Sequence, residues 1–351
     1  MMADLAGSTV FTRILLEAGA TDSLLRGAIV SMSDSTGNGQ SPRPNVVMVD
    51  IDDDRAGQRL DNFLMSQLKG VPRTRVYRMV RSGEVRVNKG RKQAAYRLLE
   101  GDVVRIPPVR QAETSEVVLP HQQVEAFADW VLFEDSHLLA INKPAGLAVH
   151  GGSGLSHGLI ELARKARPEL KHLELVHRLD RDTSGVILLA KRRSALRALH
   201  ESLRTRTAHK TYWALVAGAW PARKQQVKLN LSRDVLRSGE RMASVHPDGK
   251  FALTRTSILK KYDGASLMAC EPVTGRTHQI RVHCQAAGHA ILGDPKYGLD
   301  EDNRRWRERG LKRMFLHAAE IDIPWQDGRL TISAPLDPSL TQLLESLDER
   351  D

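Results

Sequence analysis

Hydrophobic and polar positions change period several times along the chain, and each change predicts an element. Over residues 58–69, Leu60, Phe63, Leu64 and Leu68 share one face at helical spacing, and after a break at Pro72 a second helix runs through Val76, Met79 and Val80. Beyond Gly83 the period falls to two: EVRVNKGRK alternates as a strand and turns at Asn88, Lys89 and Gly90, and a turn at Gly101 and Asp102 leads into VVRIP. Residues 130–135 (WVLFED) and 138–142 (LLAIN) read as strands ahead of a turn at Lys143, Pro144, Ala145 and Gly146. Val186 to Ala190 are consecutively apolar behind a Thr183-Ser184-Gly185 turn signal, the pattern of a buried strand. A helix over 194–206 turns Leu196, Leu199 and Leu203 inward, and a strand over 209–218 sets Tyr212, Ala214 and Val216 on one face. Gly275 marks a turn, Thr277 is placed to cap a helix reaching Gly288, and a turn-rich loop at 293–298 precedes a strand in FLHAAEIDIP and a helix over 339–347.

Two stretches lack any period. Ser, Gly, Asn and Pro dominate residues 31–45, so 1–47 is expected to be a disordered arm, with a short helix around Val10 to Leu16. Met32, at the head of that tract, is a second candidate start of translation. Residues 111–125 are polar and read as a linker, which leaves a small domain at 48–110 and a large one at 126–351. No window reaches an uninterrupted transmembrane length, and the N-terminus lacks a basic-then-apolar signal pattern, so the protein is expected in the cytoplasm. Two cysteines, Cys270 and Cys284, are too few for a disulfide framework or a zinc cage.

The net charge of +10 changes the picture, because it points to a polyanionic partner. Between Lys69 and Lys92 nine basic residues stand against one acid, Glu84, and Arg75, Arg78 and Arg81 recur every third position on the outer face of the second helix. That is either a phosphate-reading face or a solvated one. The strand at Val186 carries a loop rich in chemistry, His177, Arg178, Asp180, Arg181 and Asp182, held at the mouth of a rigid element. On spacing alone its acids either shape a turn or form a site. Arg276, just ahead of a helix, could aim a fixed positive charge at a carboxylate. His278 and His283, five residues apart, would sit roughly 140 degrees apart around a helix, unlike the one-face pair of a zinc helix. HGGSG at 150–154 lacks the remainder of a nucleotide-binding loop.

GQRLDNFL, GEVRVNKG and EGDVVRIPP resemble the S4 domain, an RNA-binding module, and HRLDRDTSG, HKTYWALVAG, TGRTHQIRVH, GDPKYG and FLHAA resemble, in that order, the motifs of RluA-type pseudouridine synthases. AVHGGSGLSHGLIE and LELVHRLDRDTSG are similar to a branch acting on large-subunit rRNA. The resemblance implies an α+β fold: a small S4 domain, then a catalytic domain with a central mixed, mainly antiparallel sheet flanked by helices. It implies isomerisation of uridine to pseudouridine in 23S rRNA or its assembly intermediate, with no cofactor or nucleotide; no metal is expected at the site, and the protein is expected to be a monomer. Asp180 matches the family's nucleophile, attacking C6 or C1′ or working through a glycal. Tyr212 matches a tyrosine that stacks on the base, although core packing alone would explain a strand tyrosine. Arg276 is the expected cation partner of Asp180, and Arg178 matches the residue that fills the space left by a flipped uridine. Arg75, Arg78, Arg81 and Lys89 are the expected S4 contacts with RNA. Two other readings stay open: a non-catalytic RNA-binding or ribosome-assembly protein, and a zinc-dependent base deaminase, which requires His-x-Glu and Pro-Cys-x-x-Cys patterns that do not occur around the two cysteines.

Overall fold

The computed structural model describes residues 45–53, 55–68, 70–109, 119–151, 157–170, 172–235 and 241–349. Its first sheet is small. Strands β1 (Val47–Asp50), β2 (Arg86–Val87) and β3 (Val103–Ile106) pair antiparallel in the order β1-β3-β2. Helices α1 (Leu60–Gln67) and α2 (Arg73–Ser82) close over them, because the apolar stripes Leu60, Phe63, Leu64 and Val76, Met79, Val80 bury into a core with Val87, Leu98 and Val104. Asn88 and Lys89 both take left-handed backbone angles, φ 50° and 65°, which a tight hairpin turn requires. Residues 1–44 lie outside the described residues, and with them the expected helix at Val10 and the candidate start at Met32; Val47 already belongs to β1.

The linker expected over 111–125 is shorter than its composition suggests. Residues 110–118 lie outside the described residues, but α3 (His121–Glu125) and a 3-10 turn (Ala126–Trp130) are regular. They are held because Phe127 and Trp130 are apolar anchors on the neighbouring core.

The second sheet has eleven strands: β4 (Val131–Glu134), β5 (Leu138–Lys143), β6 (Glu174–Leu175), β7 (Ser184–Ala190), β8 (His209–Ala217), β9 (Gln226–Val235), β10 (Arg241–Val245), β11 (Lys250–Tyr262), β12 (Ala265–Pro272), β13 (Leu316–Trp325) and β14 (Gly328–Ser333). The main order is β10-β9-β11-β12-β8-β13-β7-β5-β4, with β14 on β13 and β6 on β7. Every pair is antiparallel except β13 with β7. The helices are α4 (Leu159–Ala166), α5 (Arg193–Thr205), α6 (Gln279–Ala286), α7 (Asp300–Glu308) and α8 (Pro338–Asp348).

Strand β7 is buried on both faces, which accounts for its unbroken apolar run. Val186, Leu188 and Ala190 pack with Leu196 and Leu199 of α5, while Ile187 and Leu189 pack with Leu159, Ile160 and Ala163 of α4. Its entry depends on Gly185, at φ +107°: a Cβ there would stand 2.2 Å from the Ala318 carbonyl oxygen of β13. A buried polar set fixes the same junction. Ser184 Oγ lies 2.8 Å from His317 Nδ1 and accepts from Arg313 at 2.7 Å, and His317 Nε2 lies 3.0 Å from the Ala334 carbonyl. The loop carrying Asp180 therefore leaves a strand with little freedom.

Helix α6 begins later than its capping signal predicts. Thr277 does not cap it; His278 occupies the N-cap position in a left-handed conformation, φ 51°. The entry is organised by Gln279 instead. Its side chain accepts from Thr274 Oγ1 and the Arg276 N–H, and donates to the Leu253 carbonyl and Thr254 Oγ1, tying the turn to β11.

Candidate active site

A cavity of about 580 Å³ opens between the loop ahead of β7, the start of β8, the end of β12 and the start of α6. Arg178, Asp180, Tyr212, Arg276, His278 and Arg281 all line it. Four residues expected to act on the substrate, Arg178, Asp180, Tyr212 and Arg276, thus converge from segments up to a hundred residues apart.

The Asp180 loop is pinned from below by Lys143, which is wholly buried at the end of β5. Its Nζ donates to the carbonyls of Pro144 (2.8 Å), Leu147 (2.8 Å) and Arg181 (3.0 Å), and the Arg181 carbonyl also accepts the Gly146 N–H at 2.9 Å. Burial pushes the Lys143 ammonium down to about 7, against the pull of Asp182 and Asp180. The Lys-Pro-Ala-Gly turn is therefore the base on which the loop rests.

Asp180 meets two nitrogen groups at the cavity wall. Arg281 Nη1 is 3.5 Å and His278 Nε2 3.8 Å from Oδ2. This corrects the expectation for Arg276, whose Nε donates instead to the Phe251 carbonyl at 3.1 Å and whose side chain stays exposed on the same cavity. The reason is local: Arg276 stands in the turn between Gly275 and Thr277, whereas Arg281 rides a helix whose residues Gln279–Cys284 are all buried. A buried guanidinium requires a partner. Asp294 supplies it bidentately, through Nε and Nη2 at 2.7 Å each, and the Tyr297 ring lies under the guanidinium at 5.0 Å. Burial pulls the Arg281 pKa down, but Asp294 and then Asp180 more than offset it, so the charge is permanent.

Burial, with the Asp180 charge added, holds the Tyr212 phenol well above its ordinary range and keeps it protonated. His278 is pushed down by burial, with Arg281 and Lys296 adding and Asp180 and Asp294 opposing. Its Nδ1 is 2.8 Å from the Tyr297 hydroxyl, which accepts the Ala243 N–H at 2.9 Å and lies 3.2 Å from the Ala243 carbonyl. The hydroxyl has one proton to give. Donated to the Ala243 carbonyl, it leaves the Tyr297 oxygen to accept from His278 Nδ1.

His283 does not join His278 on one helix face, since His278 precedes the helix. It is buried with neither ring nitrogen hydrogen-bonded among the described residues, and burial pushes it down to about 4. In the small domain Arg78, Arg81 and Lys89 are exposed, but Arg75 is half-buried and donates to Glu84 at 3.2 Å. The partner of Asp180 that sequence reasoning missed, Arg281, left a signal: an arginine between Ile280 and Val282 that must enter a core with an acid.

Residues 137–286 match the family model described as RNA pseudouridylate synthase, and residues 58–104 match that of the S4 domain. The ribosomal large subunit pseudouridine synthase C of Escherichia coli (strain K12) is 54% identical over 310 residues, covering 87% of this chain and 97% of that one. The protein of the same name from Haemophilus influenzae is 50% identical over 309 residues, covering 87% and 96%. Among solved structures, human RNA pseudouridylate synthase domain containing 4 superposes with a TM-score of 0.54 at 26% identity, over 66% of this chain and 98% of that one.

Proposed function

The chain belongs to the RNA pseudouridylate synthase family, so its reaction is the isomerisation of uridine to pseudouridine in RNA, and we propose that Asp180 delivers it within the ribosomal RNA of the large subunit. The large-subunit relatives support that substrate, as does the basic S4 segment, whose exposed Arg78, Arg81 and Lys89 suit phosphates. One observation carries the assignment of the nucleophile: Asp180 lines the cavity beside a buried, permanently charged Arg281 at 3.5 Å.

The isomerisation breaks N1–C1′, turns the uracil and forms C5–C1′, while the proton of C5 is lost and N1 gains one. Nothing is oxidised and no group leaves the RNA, so no redox or nucleotide cofactor enters the balance. A carboxylate that attacks must stay ionised in a partly dry pocket, and Arg281 stabilises that form. Asp294 holds Arg281 so that its position does not depend on the substrate. Tyr212, protonated and flat, suits stacking on a base that has to rotate while detached. A uridine in folded RNA reaches the cavity only after leaving its stack, at a cost of a few kcal/mol, and Arg178, exposed on the cavity, is the residue assigned to fill the gap. Arg276, at the cavity wall, is assigned to the RNA backbone. A substrate in large-subunit rRNA suits action in the cytoplasm.

The test is tritium release from C5-tritiated uridine in large-subunit rRNA. Wild type should release tritium and Asp180→Asn should not, while both bind the RNA. Release by Asp180→Asn at a substantial rate would remove Asp180 from its role.

A further inference from the structure

A second cavity, of about 480 Å³, shares two wall residues, Arg255 and Glu271, with the catalytic one. Its remaining lining includes Lys224, Gln225, Ser257 and Ala269. The two shared residues face each other directly across β11 and β12. Opposite charges at such a position ordinarily pair, yet neither side chain has a hydrogen-bond or ion-pair partner among the described residues, and both are exposed. The far wall is built rather than loose. The Lys224 carbonyl accepts from Trp220 Nε1 at 2.9 Å and from Thr256 Oγ1 at 2.7 Å, and the Gln225 carbonyl accepts the Thr256 N–H at 2.9 Å, so the segment after β8 is stitched to β11. Trp220 is itself buried, with its backbone N–H donated to Ser266 Oγ at 2.9 Å.

We infer that this second cavity is a subsite for a nucleotide flanking the target uridine, and that Glu271 and Arg255 read its base as guanine. The inference rests on the reading of the first cavity as the uridine site. A strand that places one nucleotide in the catalytic cavity carries its neighbour within reach of the shared wall. Unstacked bases are read on their exposed edges. Guanine alone among the four bases presents two adjacent donors, N1–H and N2–H₂, which match the two oxygens of a carboxylate. Its O6 and N7 acceptors suit an arginine. Lys224, on the opposite wall, is positioned for the phosphate of that nucleotide. A lone cation patch would accept any base, whereas an unpaired acid beside an unpaired arginine discriminates.

The experiment uses the full-length protein and large-subunit rRNA transcripts in which each nucleotide beside one modified uridine is replaced by all four bases. Pseudouridine formation is measured for wild type, Glu271→Gln and Arg255→Ala on every transcript. The ratio of wild type to variant is the readout, because any effect of the base on RNA folding cancels within it. At one flanking position that ratio should be about tenfold or more larger with guanine than with the other bases, and should appear in KM. A ratio that is the same for all four bases, whether large or unity, overturns the subsite, since a merely structural role cannot couple to one base. If wild type forms no pseudouridine on any transcript, the substrate assignment fails first and the subsite with it.

Discussion

Arg281 and Arg276 stand five positions apart and line the same cavity, yet their surroundings assign them different work. Arg281 is buried, doubly bonded to Asp294 and 3.5 Å from Asp180; Arg276 is exposed and bonded to one backbone carbonyl. A preorganised charge beside the reacting group contributes most to the chemical step, and a mobile surface charge contributes mainly to association. Arg281→Lys keeps a charge but loses the planar fork, and is expected to lower kcat by roughly 100-fold or more with little change in RNA affinity. Arg276→Gln is expected to raise KM with a smaller effect on kcat. Single-turnover rates and binding measured together, with melting temperatures to confirm folding, check both. A larger kcat loss for Arg276→Gln than for Arg281→Lys would return the Asp180 partnership to Arg276.

At the scale of elements, the strongest patterns in the sequence correspond to the most buried elements. The apolar run from Val186 is a strand covered on both faces, and Leu60, Phe63 and Leu64 do face a core. Asp180, Tyr212 and Arg178 share a cavity as the resemblance implies, but motif order carries no information on which of two arginines is turned inward. That depends on the helix beginning at Gln279 rather than at the Thr277 signal, a tertiary effect of the Gln279 side chain on β11. The strands β9 to β12 drew no expectation, although Val227, Leu229 and Leu231 alternate; Lys228, Arg255, Lys260 and Lys261 on the outward positions dilute the apolar signal. In the small domain, α2 shows that spacing overstates a basic face, because Glu84 already engages Arg75. Arg78→Ala and Arg81→Ala should each reduce the slope of log affinity against log salt by about one, with Arg75→Ala doing less. Salt titrations of rRNA binding measure this, and three equal slopes unchanged from wild type would remove α2 from the RNA interface.

The molecule as a whole buries histidines that must stay neutral. His283 and His317 are buried and His177 is partly so; the His177 Nε2 accepts the Leu188 N–H of β7 at 3.3 Å, and burial, with Lys210 adding, pushes it down to about 3. In the unfolded chain the same ring takes up a proton near 6.5. Between those values the unfolded state binds more protons, so the His177 contribution is fully present above about 6.5 and is lost as pH falls towards about 3. His177→Gln retains an acceptor without titrating and should flatten the loss of stability between pH 7 and pH 5, read from denaturant midpoints; an unaltered loss would mean that other groups govern it. A different whole-molecule property follows from the place of β13. It lies between β7, whose loop bears Asp180, and β8, which bears Tyr212, although the chain makes it after both. Without residues 316–325, the strand that follows the Asp180 loop and the strand that bears Tyr212 would belong to two sheets that no other pairing among the described residues joins. A growing chain is therefore expected to complete this cavity only after a late strand has paired between two earlier ones.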